Sequence, residues 1–214
     1  MKKDEKFIIS INRELGSGGR SVGELLAARL EVPFYSKAVI QGLQKKYGLT
    51  TEEIERRKGQ DHSWWAELKR TMALGLSMAQ QQYKYQMIND DADSLTTDYM
   101  FKTEVEILQG IAESESCVVA GRSSFYVFRN HPNHLNIFIQ APMEQRITRL
   151  MEKKGISREA AQKLINEVDR GRESYVNKYT GTSRYDTRNY DLVISMEGHT
   201  VEQAVDLIMK YIEG

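Results

Sequence analysis

Cysteine occurs once in 214 residues, at Cys117 inside the apolar run CVVAG, so no internal disulfide can form and a reducing compartment is expected. Histidine is also sparse. His62, His131, His134 and His199 are scattered without HxxxH spacing or a cysteine beside them, which argues against a transition-metal centre. Net charge is missing as well: thirty basic side chains cancel thirty acidic ones. That balance leaves no global field to draw nucleic acid or an anionic membrane, so any anion site must be local. No apolar run approaches the roughly 20 residues of a membrane span, and MKKDEK is too polar to open a signal peptide. A cytoplasmic protein with neither nucleic-acid nor membrane partners is expected. What the chain does have is 40% hydrophobic residues, enough for one substantial core, and a single α/β domain over residues 1–214 is the economical expectation.

The most informative stretch is FIISINRELGSGGRSVGELLAARL, from Phe7 to Leu30. Phe7, Ile8, Ile9 and Ile11 suit a buried strand, and Gly16, Ser17, Gly18 and Gly19 follow where a tight turn would fall. Val22, Leu25, Leu26 and Leu30 then recur at helical spacing. Strand, glycine turn and helix make a phosphate cradle: glycines let backbone N–H groups converge on an anion, and the helix N-terminus adds unpaired donors. The plain alternative is a flexible turn. A standard loop reads GxxxxGK[ST], with lysine reaching the terminal phosphates and a hydroxyl holding Mg²⁺. No lysine is present here. Matching Gly19, Arg20 and Ser21 to GK[ST] makes Arg20 the cation and Ser21 the metal ligand, with Glu14 where the first glycine belongs. Keeping the helix in step with a GSGKST-type loop instead sets Gly19 at the lysine and Arg20 at the serine. Both registers stay open.

Further along, Pro33 to Tyr35 suits a short strand, and Ser36 can cap a helix running to about Tyr47. Another polar helix is expected after Thr50 or Thr51. From His62 to about Met87, Trp65, Leu68, Met72, Leu76, Ala79, Tyr83 and Met87 mark one face of a long amphipathic helix. That stripe covers the core or forms a homodimer seam. A polar turn at Asn89–Ser94 precedes a helix from about Thr97 with Phe101, Val105, Leu108 and Ala112 on one face. Buried strands are expected at Cys117–Ala120, Leu135–Ile139 and Leu192–Ser195, and short apolar strands alternating with helices argue for a parallel sheet covered on both faces. Gly121 and Arg122 would emerge at the carboxyl end of the first of these, where ligands bind in such sheets. Arg146 and Arg149 read by default as surface charge, the alternative being that they point at phosphate. Ser157 to Tyr190 opens as a helix and then delivers Asp169, Arg170, Arg172, Lys178, Arg184 and Arg188 among Tyr175, Tyr179 and Tyr185. Solvated charge is the ordinary reading; a mobile lid carrying arginines is the sharper one. The last helix is expected to bury Val201, Ala204, Val205, Ile208, Tyr211 and Ile212.

Five segments together resemble the cytidylate-kinase-like family of P-loop nucleoside monophosphate kinases: REL-GSGGR at Arg13–Arg20, PFYSK at Pro33–Lys37, VVAGRSS at Val118–Ser124, DRGR at Asp169–Arg172, and YTG with NYDLVI between Tyr179 and Ile194. The resemblance implies a three-layer P-loop NTPase-like fold with a five-stranded parallel sheet. It also implies a helical acceptor-side region over about 36–114 and a lid over about 157–190. By similarity, GRSS matches a GRD motif that holds the acceptor nucleotide, so Arg122 inherits the arginine's role while Ser123 replaces an aspartate. Asp169 and Arg172 match the pair that reads the acceptor sugar and phosphate.

The resulting expectation is an ATP- and Mg²⁺-dependent phosphotransferase acting on a nucleoside monophosphate, CMP or dCMP. Gly16, Ser17, Gly18, Gly19, Arg20 and Ser21 would hold the donor phosphates, with Ser21 (or Ser17) as the Mg²⁺ ligand. Arg122, Asp169 and Arg172 would bind the acceptor, and Lys178, Arg184 and Arg188 would belong to the lid; Arg20, Arg172 and Arg184 would be catalytic. Two alternatives follow from the missing lysine and from Ser123: a nucleotide-binding regulatory or assembly protein with weak or no transfer, and a kinase for a small non-nucleotide hydroxyl compound.

Overall fold

The computed structural model describes residues 1–2, 4–37, 40, 50 and 98–214. The expected helices between Ser36 and Met87, the apolar stripe from Trp65 to Met87 and the turn at 89–94 lie outside the described residues.

The Ile-rich run forms β1 (Ile8–Arg13), and the glycine turn delivers the chain into α1 (Gly19–Arg29). There follow β2 (Phe34–Tyr35), α2 (Asp98–Ser114), β3 (Cys117–Ala120), the short α3 (Ser124–Val127) and β4 (His134–Gln140). Then come α4 (Met143–Lys154), α5 (Arg158–Thr180), a 3₁₀ turn at Thr187–Asn189, β5 (Leu192–Ser195) and α6 (Val201–Glu213). The five strands are parallel in the order β2-β3-β1-β4-β5, so β1 lies at the centre. Its register against β3 (Ile8↔Cys117) and β4 (Ile8↔His134) brings the carboxyl ends of all three to one edge.

Strand alternation divides the core in two. Ile9 and Ile11 of β1 with Val118 of β3 face α1 and α6, where Val22, Leu26, Val205 and Ile208 pack on them. Ile8, Cys117 and Val119 face the other way, onto Ile107, Leu108 and Ile111 of α2. A third cluster joins α4 to α5 through Ile147, Leu150, Ala161, Ile165 and Val168, and it includes Leu15 from the glycine turn. Helix ends follow local chemistry. Ser157 Oγ accepts from Ala160 N at 3.2 Å to cap α5, and Thr200 with Gln203 forms a reciprocal capping box on α6.

One expectation is corrected. Tyr211 is 49% exposed, because the buried stripe of α6 is Ala204, Val205, Ile208 and Ile212 and position 211 falls beside it. Helix α5 continues unbroken past Asp169 to Thr180 and stops at Gly181 in the left-handed conformation (φ 69°), so most of the 157–190 segment is helix.

Candidate functional site

At the end of β1, Glu14 N donates to Ile139 O (3.1 Å), and Gly16 (φ 79°) and Gly18 (φ 89°) then reverse the chain. Ser17 pins this turn from inside. Its buried hydroxyl donates to Glu14 O (2.9 Å) and accepts from Gly19 N (3.3 Å), so it is occupied within the turn and is not the hydroxyl that faces the cleft. Gly18 is the N-cap of α1, no side chain caps that helix, and its first turn carries no acid. An uncapped helix N-terminus behind a glycine turn has the polarity for an anion.

The glycines are also required by close packing. A Cβ on Gly18 would lie 2.6 Å from Arg149 Nη1, and one on Gly19 would lie 2.6 Å from the Cβ of Arg13 and 3.0 Å from that of Ile139. Position 19 therefore has no room for a side chain, lysine included. Arg20 lies along α1 with its Nε 2.9 Å from Glu24 Oε1, and still borders the cleft.

That cleft has a volume of about 550 Å³. Gly16, Gly18, Gly19 and Ser21 line it together with six cationic side chains, Arg13, Arg20, Arg149, Lys153, Lys154 and Arg172, against two acids, Glu14 and Glu24. Arg149 reaches across from α4, donating from Nη1 to Gly16 O at 2.9 Å. Ser21 is exposed on the first turn of α1. The turn, the helix end and the cationic walls suit a polyphosphate, and the Ser21 hydroxyl suits an oxygen-seeking cation such as Mg²⁺.

Behind the turn, Asp169 of α5 gathers charge. Its Oδ1 accepts from Leu15 N at 3.0 Å and lies 3.5 Å from Arg172 Nη1 and 3.6 Å from Arg184 Nη1, while Oδ2 pairs with Arg146 Nη2. Arg146 also donates to Leu15 O (2.7 Å) and pairs with Glu14 (3.2 Å). The surface reading of Arg146 is thus corrected: it is 4% exposed, tying α4 to the turn and to α5. Arg172 and Arg184 both donate to Arg13 O, the former at 3.4 Å.

Arg122 is placed differently. Gly121, Arg122 and Ser123 all have positive φ (77°, 60° and 51°), and this bend carries the Arg122 guanidinium to Glu104 of α2 and to Tyr175 of α5. Burial, followed by the opposed influences of Arg122 and Glu104, pushes the Tyr175 phenol well above its ordinary range, so it remains a neutral donor. The bend still meets the cleft, because a Cβ on Gly121 would run into Arg13 Nη1. Of the expected lid residues, Arg184 is buried beside Asp169; Lys178 pairs with Asp98 of α2 (2.5 Å), and Arg188 with Asp186 (2.7 Å), away from the cleft lining.

The family profile described as "Cytidylate kinase-like family" matches residues 8–198. The chain belongs to this cytidylate kinase-like family. An uncharacterized protein from Eubacterium ventriosum is similar over 98% of this chain and 99% of its own, with a TM-score of 0.70 and 25% identity. A shikimate kinase from Bacteroides thetaiotaomicron, 15% identical with a TM-score of 0.51 over 97% of this chain and 99% of its own, shares the P-loop kinase fold. A 99-residue stretch is 34% identical to a uronate isomerase from Corynebacterium glutamicum, 46% of this chain and 19% of that protein. The match thus spans about a fifth of that curated relative's length. Among the described residues of this family member, no helix is long and apolar enough to cross a membrane.

Arg13 and Glu104 are the residues that sequence reasoning missed at this site. Arg149, surface charge by default, lies at the glycine turn instead, in keeping with the alternative that it points at phosphate.

Proposed function

We propose that this family member transfers the terminal phosphoryl group of Mg²⁺-ATP to a nucleoside monophosphate, CMP or dCMP, giving ADP and the diphosphate. The observation that carries the reading is the cleft at the glycine turn, with six cations around an uncapped helix N-terminus at the carboxyl edge of a parallel sheet. In it, Gly16, Ser17, Gly18 and Gly19 offer backbone to the donor phosphates, while Arg20 and Arg149 flank them. Ser21 would join the donor oxygens around Mg²⁺, which neutralises phosphate charge when bound. An anionic oxygen of the acceptor phosphate attacks the γ-phosphorus in line, and the bond to the β–γ bridging oxygen breaks toward ADP. No dedicated base is needed, and the protein's work is positioning and charge neutralisation. Arg172 and Arg184, close to the turn through Arg13 O and Asp169, stabilise charge on the transferring group; Lys178 and Arg188 follow with the lid. Asp169 holds these arginines in place, and Arg122 serves the acceptor side.

A second reading, a nucleotide-binding protein with weak or no transfer, draws support from the crowding at Gly19, which denies the turn a lysine. Incubation with ATP, Mg²⁺ and each nucleoside monophosphate separates the two. CDP formation, lost in Arg172→Ala and Arg20→Ala proteins that still melt cooperatively, supports the transferase; ATP binding without product from any acceptor supports the second reading. Turnover confined to non-nucleotide alcohols would refute both.

A further inference from the structure

The loop lysine has no room at position 19, yet the space it would enter is not empty. In the register that keeps α1 in step with a GSGKST-type loop, Gly19 stands at the lysine. A Cβ there would lie 2.6 Å from the Cβ and 3.1 Å from the Cγ of Arg13, so the stem of Arg13 fills the path a side chain leaving position 19 would take. The same stem carries its charge onward. Arg13 Nη1 lies so close to Gly121 that a Cβ at that position would run into it, and Arg13 lines the cleft of about 550 Å³. The guanidinium therefore stands between the glycine turn and the bend after β3, at the carboxyl ends of two adjacent strands.

The sheet fixes this side chain at its base. Arg13 is the last residue of β1, in register with Ile139 of β4, and its carbonyl accepts from Arg172 (3.4 Å) and from Arg184. A cation on so rigid a base has less freedom to lose when a ligand arrives. Other cations around the turn are directed elsewhere. Arg20 runs along α1 to Glu24 (2.9 Å), Arg149 donates to Gly16 O (2.9 Å), and Arg172 shares Asp169 (3.5 Å). Compared with these, Arg13 is the one that spans from the turn to the bend after β3.

We infer that Arg13 does the work of the missing loop lysine: its guanidinium reaches the cleft from β1 instead of from α1 and binds the terminal phosphate of the donor nucleotide. The inference rests on the phosphotransferase reading above and names the cation on which the altered loop depends. Arginine stays charged and forks onto two phosphate oxygens, so it can supply what lysine supplies as a point charge. In transfer, the bond from the γ-phosphorus to the β–γ bridging oxygen breaks and its electron pair stays with ADP. A bond from the γ-phosphorus to an acceptor-phosphate oxygen forms. Arg13 gives up no proton; it neutralises charge on the group in flight. Its reach toward Gly121, on the side of the acceptor residue Arg122, sets it at the γ-phosphate, which ATP has and ADP lacks.

Calorimetric binding of ATP and of ADP to the full chain, each with Mg²⁺, tests this without any turnover. Arg13→Met keeps a long stem and removes the charge; it should lose ATP affinity by about tenfold or more and ADP affinity by about threefold or less. Arg13→Lys restores a cation and should bring ATP affinity back to within about threefold of wild type. A packing role would be met by methionine as well as by lysine, so the difference between the two variants belongs to the charge. Equal losses on ATP and ADP, an unchanged ATP affinity in Arg13→Met, or no ATP binding by the wild type would overturn the assignment. Should Arg13→Met not fold, labelling of wild-type Arg13 by phenylglyoxal, read by mass spectrometry, decides: ATP should protect it and ADP should leave it reactive, and equal labelling with both overturns the inference. An ATP-selective loss in a protein that transfers no phosphoryl group to any acceptor would sink the transferase reading and leave the phosphate contact standing. Transfer at the wild-type rate by Arg13→Met would sink Arg13 alone.

Discussion

Replacing Asp169 by asparagine isolates the charge that holds the site together while keeping the side chain's shape. The carboxylate is 7% exposed and is shared by Arg146, Arg172, Arg184 and the Leu15 amide. Asparagine can still accept from Leu15, but three guanidinium groups then lose the carboxylate they share, while Glu14 still pairs with Arg146. Removing one partner from a buried ion pair typically costs about 3 kcal/mol or more, because the opposite charge is left without compensation. In a chain of this size, ~3 kcal/mol corresponds to a fall in melting temperature of roughly 6–12 °C. Differential scanning calorimetry of wild type and Asp169→Asn reads that fall directly. Asp186→Asn serves as the control, since its partner Arg188 is 88% exposed and screened by solvent, and it should leave the midpoint unchanged. A shift in Asp169→Asn as small as that of the control would refute the view that this carboxylate organises the arginines.

Other outcomes follow from the same geometry. Gly19→Ala forces a Cβ to 2.6 Å from that of Arg13, and should destabilise the protein by about 1–3 kcal/mol in urea titrations and weaken ATP binding; Gly19→Lys should not restore a working loop. Arg149→Met keeps most of the bulk over the turn but removes the cation, so calorimetry should show ATP affinity falling by about tenfold with little change in melting temperature. Burial lowers the pKa of His134 from 6.5 to about 4, where its Nε2 meets Ser10 Oγ at 2.8 Å. The unfolded chain therefore takes up a proton first, and stability present above pH 6.5 is lost as pH falls toward 4, by about 3 kcal/mol in all. Urea midpoints between pH 7 and pH 4.5 should follow that slope, and His134→Gln should flatten it.

The sheet and the glycine turn were legible because their signals are local: the β-branched run Ile8–Ile11, three glycines, and a 3.6-residue stripe from Val22 to Leu26. Cys117–Ala120 and Leu192–Ser195 stand as strands with the expected boundaries for the same reason. What escaped depends on partners distant in the chain. Arg146 has the spacing of a solvated helix face, and only contact with Leu15 and Asp169, 131 and 23 residues away, buries it. Arg13 reads as the last residue of a strand, and its place in the cleft depends on the direction of the turn that follows. Glu104 falls among alternating apolar and acidic positions of α2, and no periodicity distinguishes it from Glu106; its meeting with Arg122 requires the positive-φ bend after β3.

Leu15 links two parts that are usually thought of as separate. Its side chain belongs to the α4–α5 cluster, its amide is held by α5, and its carbonyl by α4. Any swing of that helical hairpin therefore drags the glycine bend along, like a latch fixed to its own door. For protein engineers this sets a rule: a chimera that borrows the glycine segment from a relative should import the two helices with it, since neither half is shaped to accept a stranger.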